Sequence, residues 1–302
     1  MIGELAALAA ALCWTLSSVL YKAALSDTKP IPANISRCIS TTVFLFACVG
    51  ATGRLWNLAT LGMDSLLLAS FSGIVGLLLG DTMYMTSIAL IGVSRAVPIS
   101  CAYPLFTTFF AVLFLDEQVT FFLLLGTVVI IVGTWLVSQE RTGSSSVTRS
   151  VLFKGVSLAL AAAIVWSVSI IMMDHALELS QMASKMAPVD SAFVVNTARM
   201  SATVLAFLAV SPLIDRHFRF VKLKRKTWAI LALGGIVALG LGWVLLAVSL
   251  SQIEASRAVP ISSVTPLFAT LVGAFFLREK VTVKIFVGSV LIVLGTSVVF
   301  VV

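Results

Sequence analysis

One acidic side chain, Asp81, lies deep inside a long apolar stretch of the sequence, in the run GLLLGDTMYMTS. A charged residue at the centre of a membrane-spanning helix costs about 2.5–3.5 kcal/mol, so such a residue normally faces a cavity or a partner. Loss of water favours the neutral acid, which makes Asp81 a candidate proton carrier. The alternative is a structural role, in which Asp81 joins a hydrogen-bonded cluster or pairs permanently with an arginine.

Two arginines also lie within apolar stretches. Arg37 follows Asn34 by three residues, and Arg199 follows Asn196 by three residues. This spacing places the amide and the guanidinium on one face of a helix. An arginine can bind a carboxylate or a phosphate through two parallel hydrogen bonds, so both pairs are candidate substrate-binding residues. The alternative is that each guanidinium extends along its flexible side chain to the membrane surface.

Aromatic and hydroxyl side chains complete the candidate binding set. Tryptophan prefers the membrane interfaces, so Trp14 and Trp166, which lie near the middle of their stretches, are expected to pack against a cavity or a substrate. The other candidates are Ser17, one turn after Trp14; Tyr84, one turn after Asp81; Tyr103, between two prolines; and Trp243. Ordinary packing is the alternative interpretation for each aromatic residue.

The chain contains the same unit twice. Residues 91–134 return as residues 253–296, shifted by 162 positions without a gap, and half of the aligned positions are identical. The same shift relates Arg37 to Arg199 and Asp81 to Trp243. A duplication of one unit explains this pattern. It predicts two domains, a first repeat of residues 1–140 and a second repeat of residues 151–302.

The composition places both repeats in a membrane. Hydrophobic residues make up 60% of the chain and charged residues only 11%, whereas about a quarter of the residues of soluble domains are charged. A helix needs about 20 mostly apolar residues to cross the hydrocarbon core. Ten stretches qualify: 4–24, 33–51, 65–90, 95–115, 119–138, 155–173, 191–211, 228–251, 257–277 and 281–301. We therefore predict an all-α integral membrane protein with ten transmembrane helices, five in each repeat.

The number of spans and the basic residues predict the topology. Because each repeat has an odd number of spans, the two repeats must be inverted relative to each other. Apart from the two arginines inside spans, 15 of the 18 Lys and Arg residues lie on the side of the odd-numbered loops, which include the longer connections at 139–150 and 215–226. Basic residues are retained in the cytoplasm. We expect external termini and a multi-pass location in the plasma or inner membrane, and we expect residues 174–190 to form a long polar connection.

The motifs with the most specific spacing lie in the fourth and fifth stretches of each repeat. They are S-R-A-V-P-I-S, a proline six residues later, F-L-x-E and two glycines seven residues apart. With two inverted five-helix repeats, the chain resembles the drug/metabolite transporter superfamily, EamA type, over nearly its whole length. This resemblance implies a carrier of small metabolites, with a substrate path between the halves that is lined mainly by the first four helices of each. Members are usually described with cytoplasmic termini, which differs from the orientation expected here.

Other motif residues are expected to be structural. Four prolines should bend helices and shape gates: Pro98, Pro104, Pro260 and Pro266. Two glutamates, Glu117 and Glu279, should complement the positive start of the helix that follows each of them. The paired glycines, Gly126 with Gly133 and Gly288 with Gly295, should allow close helix contact, with contact between two copies of the chain as a further use.

Several function classes are excluded by what the sequence lacks. It has no phosphate-binding glycine loop and no cluster with metal-ligand spacing, so an ATP-driven pump is excluded and no cofactor is expected. Its net charge is +7, but the basic residues lie between apolar runs and not on one solvated face, so nucleic acid is not an expected partner.

We expect a secondary transporter, an exporter or exchanger of a small polar metabolite such as an amino acid. It would work by alternating access as a monomer or homodimer in the lipid bilayer, with protons as a second partner through Asp81. Two alternatives belong to other classes. An integral membrane enzyme acting on lipid would cluster its acid, base or nucleophile at one interface. A non-transporting structural or sensory membrane protein would not need the polar residues within its spans.

Overall fold

The computed structural model describes residues 1–91, 96, 99–139, 148–215, 218–265, 267–268 and 283–301, and this part of the chain contains helices and no strand. The helices of the first half are α1 (Ile2–Ala24), α2 (Pro30–Ala51), the short α3 (Leu55–Ala59), α4 (Met63–Gly73), α5 (Asp81–Ile91), α6 (Tyr103–Phe114) and α7 (Phe121–Gln139). Those of the second half are α8 (Arg149–Ser184), α9 (Pro188–Ile214), α10 (Arg225–Gly235), α11 (Trp243–Leu250), α12 (Ala255–Ser262) and α13 (Val283–Val301).

The helices expose apolar side chains and bury polar ones, as a membrane protein does. Within the described residues, five helices are long and apolar enough to cross a membrane: Pro30–Ala51, Met63–Ile91, Arg149–Ala183, Pro188–Ile214 and Arg225–Leu250. Leu205 and Leu213 are largely exposed on α9, whereas Asn196 and Arg199 on the same helix are fully buried. Helices suit this environment because they satisfy their backbone hydrogen bonds internally.

In the part of the chain that the structure describes, each half contains one π-helical segment, which the sequence patterns did not predict. The first, π1 (Ile74–Gly80), joins α4 to α5, and the second, π2 (Ile236–Gly242), joins α10 to α11. The 162-residue shift relates the two segments residue by residue. Isolated π-helical turns are rare and frequently lie at functional sites. Each segment ends immediately before the position that holds Asp81 in one half and Trp243 in the other.

The first two helices of the second half are joined by a short connection. The expected polar connection at 174–190 is wrong, because α8 continues to Ser184 and α9 begins at Pro188. Lys185 ends α8 in the left-handed conformation, with φ of 50°, which is a common way for a helix to stop. Proline at the first helical position fits the start of α9, where a backbone N–H has no helical partner.

The first helix of each half packs on the other half, against the helix that a π-helical segment interrupts. Helix α1 contacts α10, π2 and α11, and α8 contacts α4, π1 and α5. Glycines make this approach possible at two equivalent points. A Cβ atom on Gly80 would lie 2.8 Å from the ring of Trp166, and one on Gly242 would lie 2.8 Å from the ring of Trp14.

The last helices of the two halves, α7 and α13, pack closely on each other. A Cβ on Gly126 would lie 2.9 Å from the carbonyl oxygen of Gly295, and one on Gly133 would lie 2.6 Å from that of Gly288. The expected close contact through glycines is therefore confirmed. Because these glycine faces cover each other within one chain, they are not available for contact between two copies.

Candidate functional site

A buried ion pair lies where π1 ends and α5 begins. Asp81 Oδ2 accepts a hydrogen bond from Arg37 Nη2 of α2. Asp81 Oδ1 accepts a second hydrogen bond, of 2.8 Å, from Trp166 Nε1 of α8. Asp81 is 7% exposed and Arg37 is 5% exposed. Since Trp166 belongs to the second half, this one carboxylate joins the two halves of the chain.

An asparagine positions Arg37 and connects it to π1. Arg37 Nε donates to Asn34 Oδ1 at 2.8 Å. Asn34 Nδ2 donates in turn to the carbonyl of Leu77 at 3.0 Å and to the hydroxyl of Thr82 at 3.2 Å. The carbon of the guanidinium lies 4.8 Å from the ring centre of Tyr21. The predicted placement of Asn34 and Arg37 on one helix face is therefore confirmed. Because Asn34 binds both the Leu77 carbonyl of π1 and Arg37 Nε, π1 determines the direction in which the guanidinium points.

Aromatic rings surround the Trp166 side of the carboxylate. The ring centres of Trp166 and Tyr84 are 4.9 Å apart, and those of Trp166 and Tyr103 are 6.2 Å apart in an edge-to-face arrangement. The hydroxyl of Tyr103 lies 3.5 Å from that of Ser262 on α12. The second half thus supplies one ring and one hydroxyl to a cluster centred on Asp81.

A second cluster surrounds Arg199, which is fully buried. Its Nε donates to the hydroxyl of Ser72 at 3.0 Å, and its Nη2 donates to the hydroxyl of Ser169 at 2.8 Å. The guanidinium carbon lies 3.8 Å from the ring centre of Trp243. Its remaining nitrogen, Nη1, is buried without a hydrogen-bond partner. No carboxylate in the described part of the chain forms an ion pair with Arg199.

The two clusters use equivalent residues. Asn196 Nδ2 donates to the carbonyl of Leu239 in π2 at 2.9 Å, as Asn34 does to its counterpart in π1. Trp14 packs edge-to-face on Trp243 at 5.7 Å and donates to the carbonyl of Ala238 at 3.3 Å. The first half places a carboxylate next to its arginine, and the second half places an aromatic ring there.

Ten of the eleven candidate residues lie in one of these two clusters. Ser17 does not, because its hydroxyl donates to the carbonyl of Cys13 within its own helix at 2.8 Å. Neither arginine extends to the membrane surface, since both are buried and bonded to interior groups. Sequence reasoning missed Tyr21, although it follows Trp14 by two helical turns on the same face. It also missed Ser72, for which the sequence carries no signal because its repeat counterpart is Gly234.

A glutamate from the first half caps a helix of the second half. The carboxylate of Glu117 accepts hydrogen bonds from the backbone N–H of Ala255 at 2.8 Å and of Ser256 at 2.9 Å, at the start of α12. The expectation that Glu117 complements the helix immediately after it is therefore wrong. The F-L-x-E motif of one half instead holds the S-R-A-V-P-I-S motif of the other.

Part of the repeated motif cannot be compared in this way. Eight motif residues lie outside the described residues: Ser94, Arg95, Val97, Pro98, Pro266, Phe276, Leu277 and Glu279.

Comparisons with known proteins agree with this fold and with the resemblance seen in the sequence. A family model described as "EamA-like transporter family" matches residues 1–139 and 153–301. A protein of Archaeoglobus fulgidus described as "Uncharacterized transporter" is 23% identical over 299 residues, which cover 98% of this chain and 96% of the relative. A second "Uncharacterized transporter", from Clostridium kluyveri, is 21% identical over 224 residues, which cover 74% of this chain and 68% of that protein.

One solved structure, described only as "Crystal structure of protein", is similar with a TM-score of 0.77. It is 17% identical, and the match covers 98% of this chain and 95% of that one. At this identity the similarity shows the fold alone.

Proposed function

The chain belongs to the EamA-like transporter family, and from this membership we propose that it is a secondary transporter of a small polar metabolite, such as an amino acid. Family membership and the names of the relatives indicate a multi-pass membrane transporter rather than an enzyme. The proposal adds the mechanism: alternating access around a site near the middle of the membrane, between two halves that exchange conformations.

In this mechanism the halves, residues 1–140 and 151–302, are five-helix repeats inserted in opposite directions, with ten spans in total. The reciprocal packing of α1 on α10 and α11, and of α8 on α4 and α5, supports such a relationship. The bias of basic residues supports cytoplasmic odd-numbered loops in the plasma or inner membrane. The substrate enters between the halves, where both arginine clusters lie.

The proposed coupling group is Asp81, and one observation supports this role. Its carboxylate holds Arg37 of its own half and Trp166 of the other half at the same time. A proton on this carboxylate removes the ion pair with Arg37 and weakens the hydrogen bond from Trp166, because a charged acceptor binds an N–H more strongly than a neutral one. It therefore changes the contact between the halves. A ligand that binds one conformation better than another shifts the balance between them, and here the ligand is a proton. The pair would thereby link proton binding to the exchange of conformations.

The test uses purified protein in proteoliposomes loaded with a mixture of the common amino acids, with flux measured by mass spectrometry. We expect a pH gradient to drive uphill transport in the wild-type protein. Asp81→Asn should abolish pH-driven transport and retain substrate counter-exchange, because exchange needs no net proton movement. The matched control is Asp64→Asn, an exposed acid at the start of α4, which should behave as wild type. A folded Asp81→Asn protein with normal pH-driven transport would overturn the coupling role.

A further inference from the structure

Among the described residues of the second half, no acid forms an ion pair with the buried Arg199. We propose that Arg199 and Trp243 form the receptor for an anionic group of the transported molecule, a carboxylate or a phosphate. This inference rests on the proposed function, because it names the chemical class of the substrate that the transporter would carry.

The repeat provides the first argument. Arg37 and Arg199 are equivalent, and so are Asp81 and Trp243. In the first half, Asp81 occupies the anion position next to the guanidinium. In the second half, an aromatic ring stands at the equivalent position. The first half therefore places an acidic group next to its arginine, whereas the described residues of the second half place none next to Arg199.

The second argument is the hydrogen bonding of Arg199. Ser72 and Ser169 occupy Nε and Nη2, and Nη1 has no partner. A buried guanidinium without a counterion is costly, and so is each unpaired donor on it. The Trp243 ring attracts the positive charge through its face without using any N–H group. This arrangement holds the guanidinium in place and leaves a donor for a ligand.

The third argument is the balance of charge. Among the described residues next to π1 and π2, the buried charged groups are Arg37, Arg199 and Asp81. Two cations and one anion leave one positive charge at the centre, which a monovalent anionic substrate would balance. Because Arg199 is fully buried, such a substrate reaches it only when the halves separate. Alternating access requires such a separation.

The first experiment titrates sodium acetate, and separately sodium phosphate, into the purified full chain in detergent at constant ionic strength set with sodium chloride. A ligand that binds the folded state raises the apparent melting temperature and saturates. We expect saturable stabilisation by at least one anion and its loss in Arg199→Gln. A response to acetate alone assigns a carboxylate, and a response to phosphate alone assigns a phosphate. Arg54→Gln, which alters an arginine paired with Asp190 near the end of α2, should keep the response.

Substitutions at Trp243 test the same site if Arg199→Gln does not fold. Trp243→Asp places a carboxylate at the position equivalent to Asp81, so it should satisfy Arg199 internally and weaken the apparent affinity for the anion at least tenfold. Trp243→Phe keeps a ring and adds no charge, so it should lose less apparent affinity for the anion than Trp243→Asp does. The inference is overturned if wild type shows no saturable response to either anion. It is also overturned if Arg199→Gln or Trp243→Asp responds as wild type does.

A second experiment separates this inference from the proposed function. Proteoliposomes are loaded with a mixture of anionic, neutral and cationic metabolites, and the released compounds are identified by mass spectrometry. Selective release of compounds with a carboxylate or phosphate supports the inference. Release restricted to compounds without such a group overturns it and leaves a transporter. Absence of any release overturns the proposed function, and the anion titration then decides the inference alone.

Discussion

The guanidinium carbon of Arg199 lies 3.8 Å from the centre of the Trp243 ring, whereas the equivalent arginine of the first half, Arg37, is paired with Asp81. The two halves thus use one scaffold to hold two arginines in different electrostatic surroundings. One arginine has its counterion within the chain, and the other has an aromatic face and a donor without a partner. The proposed proton coupling and the proposed anion recognition therefore lie in different halves and can be tested separately.

The ion pair between Arg37 and Asp81 should dominate the stability of its cluster. Removing one partner of a buried pair leaves an uncompensated charge and costs about 3–5 kcal/mol. We expect Arg37→Gln and Asp81→Asn each to lower the melting temperature in detergent while both proteins remain folded at the temperature of the transport assay. The double variant should be more stable than the sum of the single losses implies, because it buries no unpaired charge. Additive losses in this double-mutant cycle would contradict a direct interaction.

The close approach of π1 to α8 should not tolerate a side chain at Gly76. A Cβ there would lie 2.2 Å from the hydroxyl of Ser169, which also binds Arg199. Overpacking of this kind costs about 1–3 kcal/mol, so Gly76→Ala should lower the melting temperature and reduce transport. The matched control is Gly62→Ala, where no atom lies within 4 Å of the added Cβ. Equal melting temperatures for the two variants would show that π1 and α8 are not in this contact.

The capping interaction of Glu117 should stabilise the contact between the halves. Its carboxylate satisfies two N–H groups at the start of α12. Loss of a helix cap costs about 0.5–2 kcal/mol. Glu117→Ala should therefore lower the melting temperature, whereas Glu178→Ala, which removes an exposed glutamate of α8, should have little effect. Hydrogen exchange at Ala255 and Ser256 should rise only in the first variant, and unchanged exchange there would argue against the cap.

The orientation of the chain can be tested with introduced cysteines. The bias of basic residues predicts that the loop between α9 and α10 is cytoplasmic. Lys222→Cys should then resist a membrane-impermeant thiol reagent in intact cells, and Thr60→Cys, in the connection between α3 and α4, should be labelled readily. The wild-type protein, which contains four cysteines of its own, gives the background. The reverse pattern would show that the termini are cytoplasmic.

Local patterns in the sequence were sufficient to predict a helical membrane protein and ten of the residues that the two buried clusters bring together. Long apolar stretches specify helices in lipid because a bilayer offers no other partner for the backbone. Polar residues such as Asp81, Arg37 and Arg199 are conspicuous in those stretches because burying a charge is expensive. The internal repeat identified equivalent positions without any structure.

Tertiary packing alone decided which groups meet. The sequence allowed Asp81 to pair with either arginine, and the choice of Arg37 depends on how α2 packs against π1 and α5. No local pattern predicted the π-helical segments, in which Gly80 and Gly242 lie against the rings of Trp166 and Trp14 of the other half. The helix that Glu117 caps lies 138 residues away along the chain. A hydrogen bond of this kind depends on three-dimensional distance, which periodicity and spacing in a single sequence do not encode.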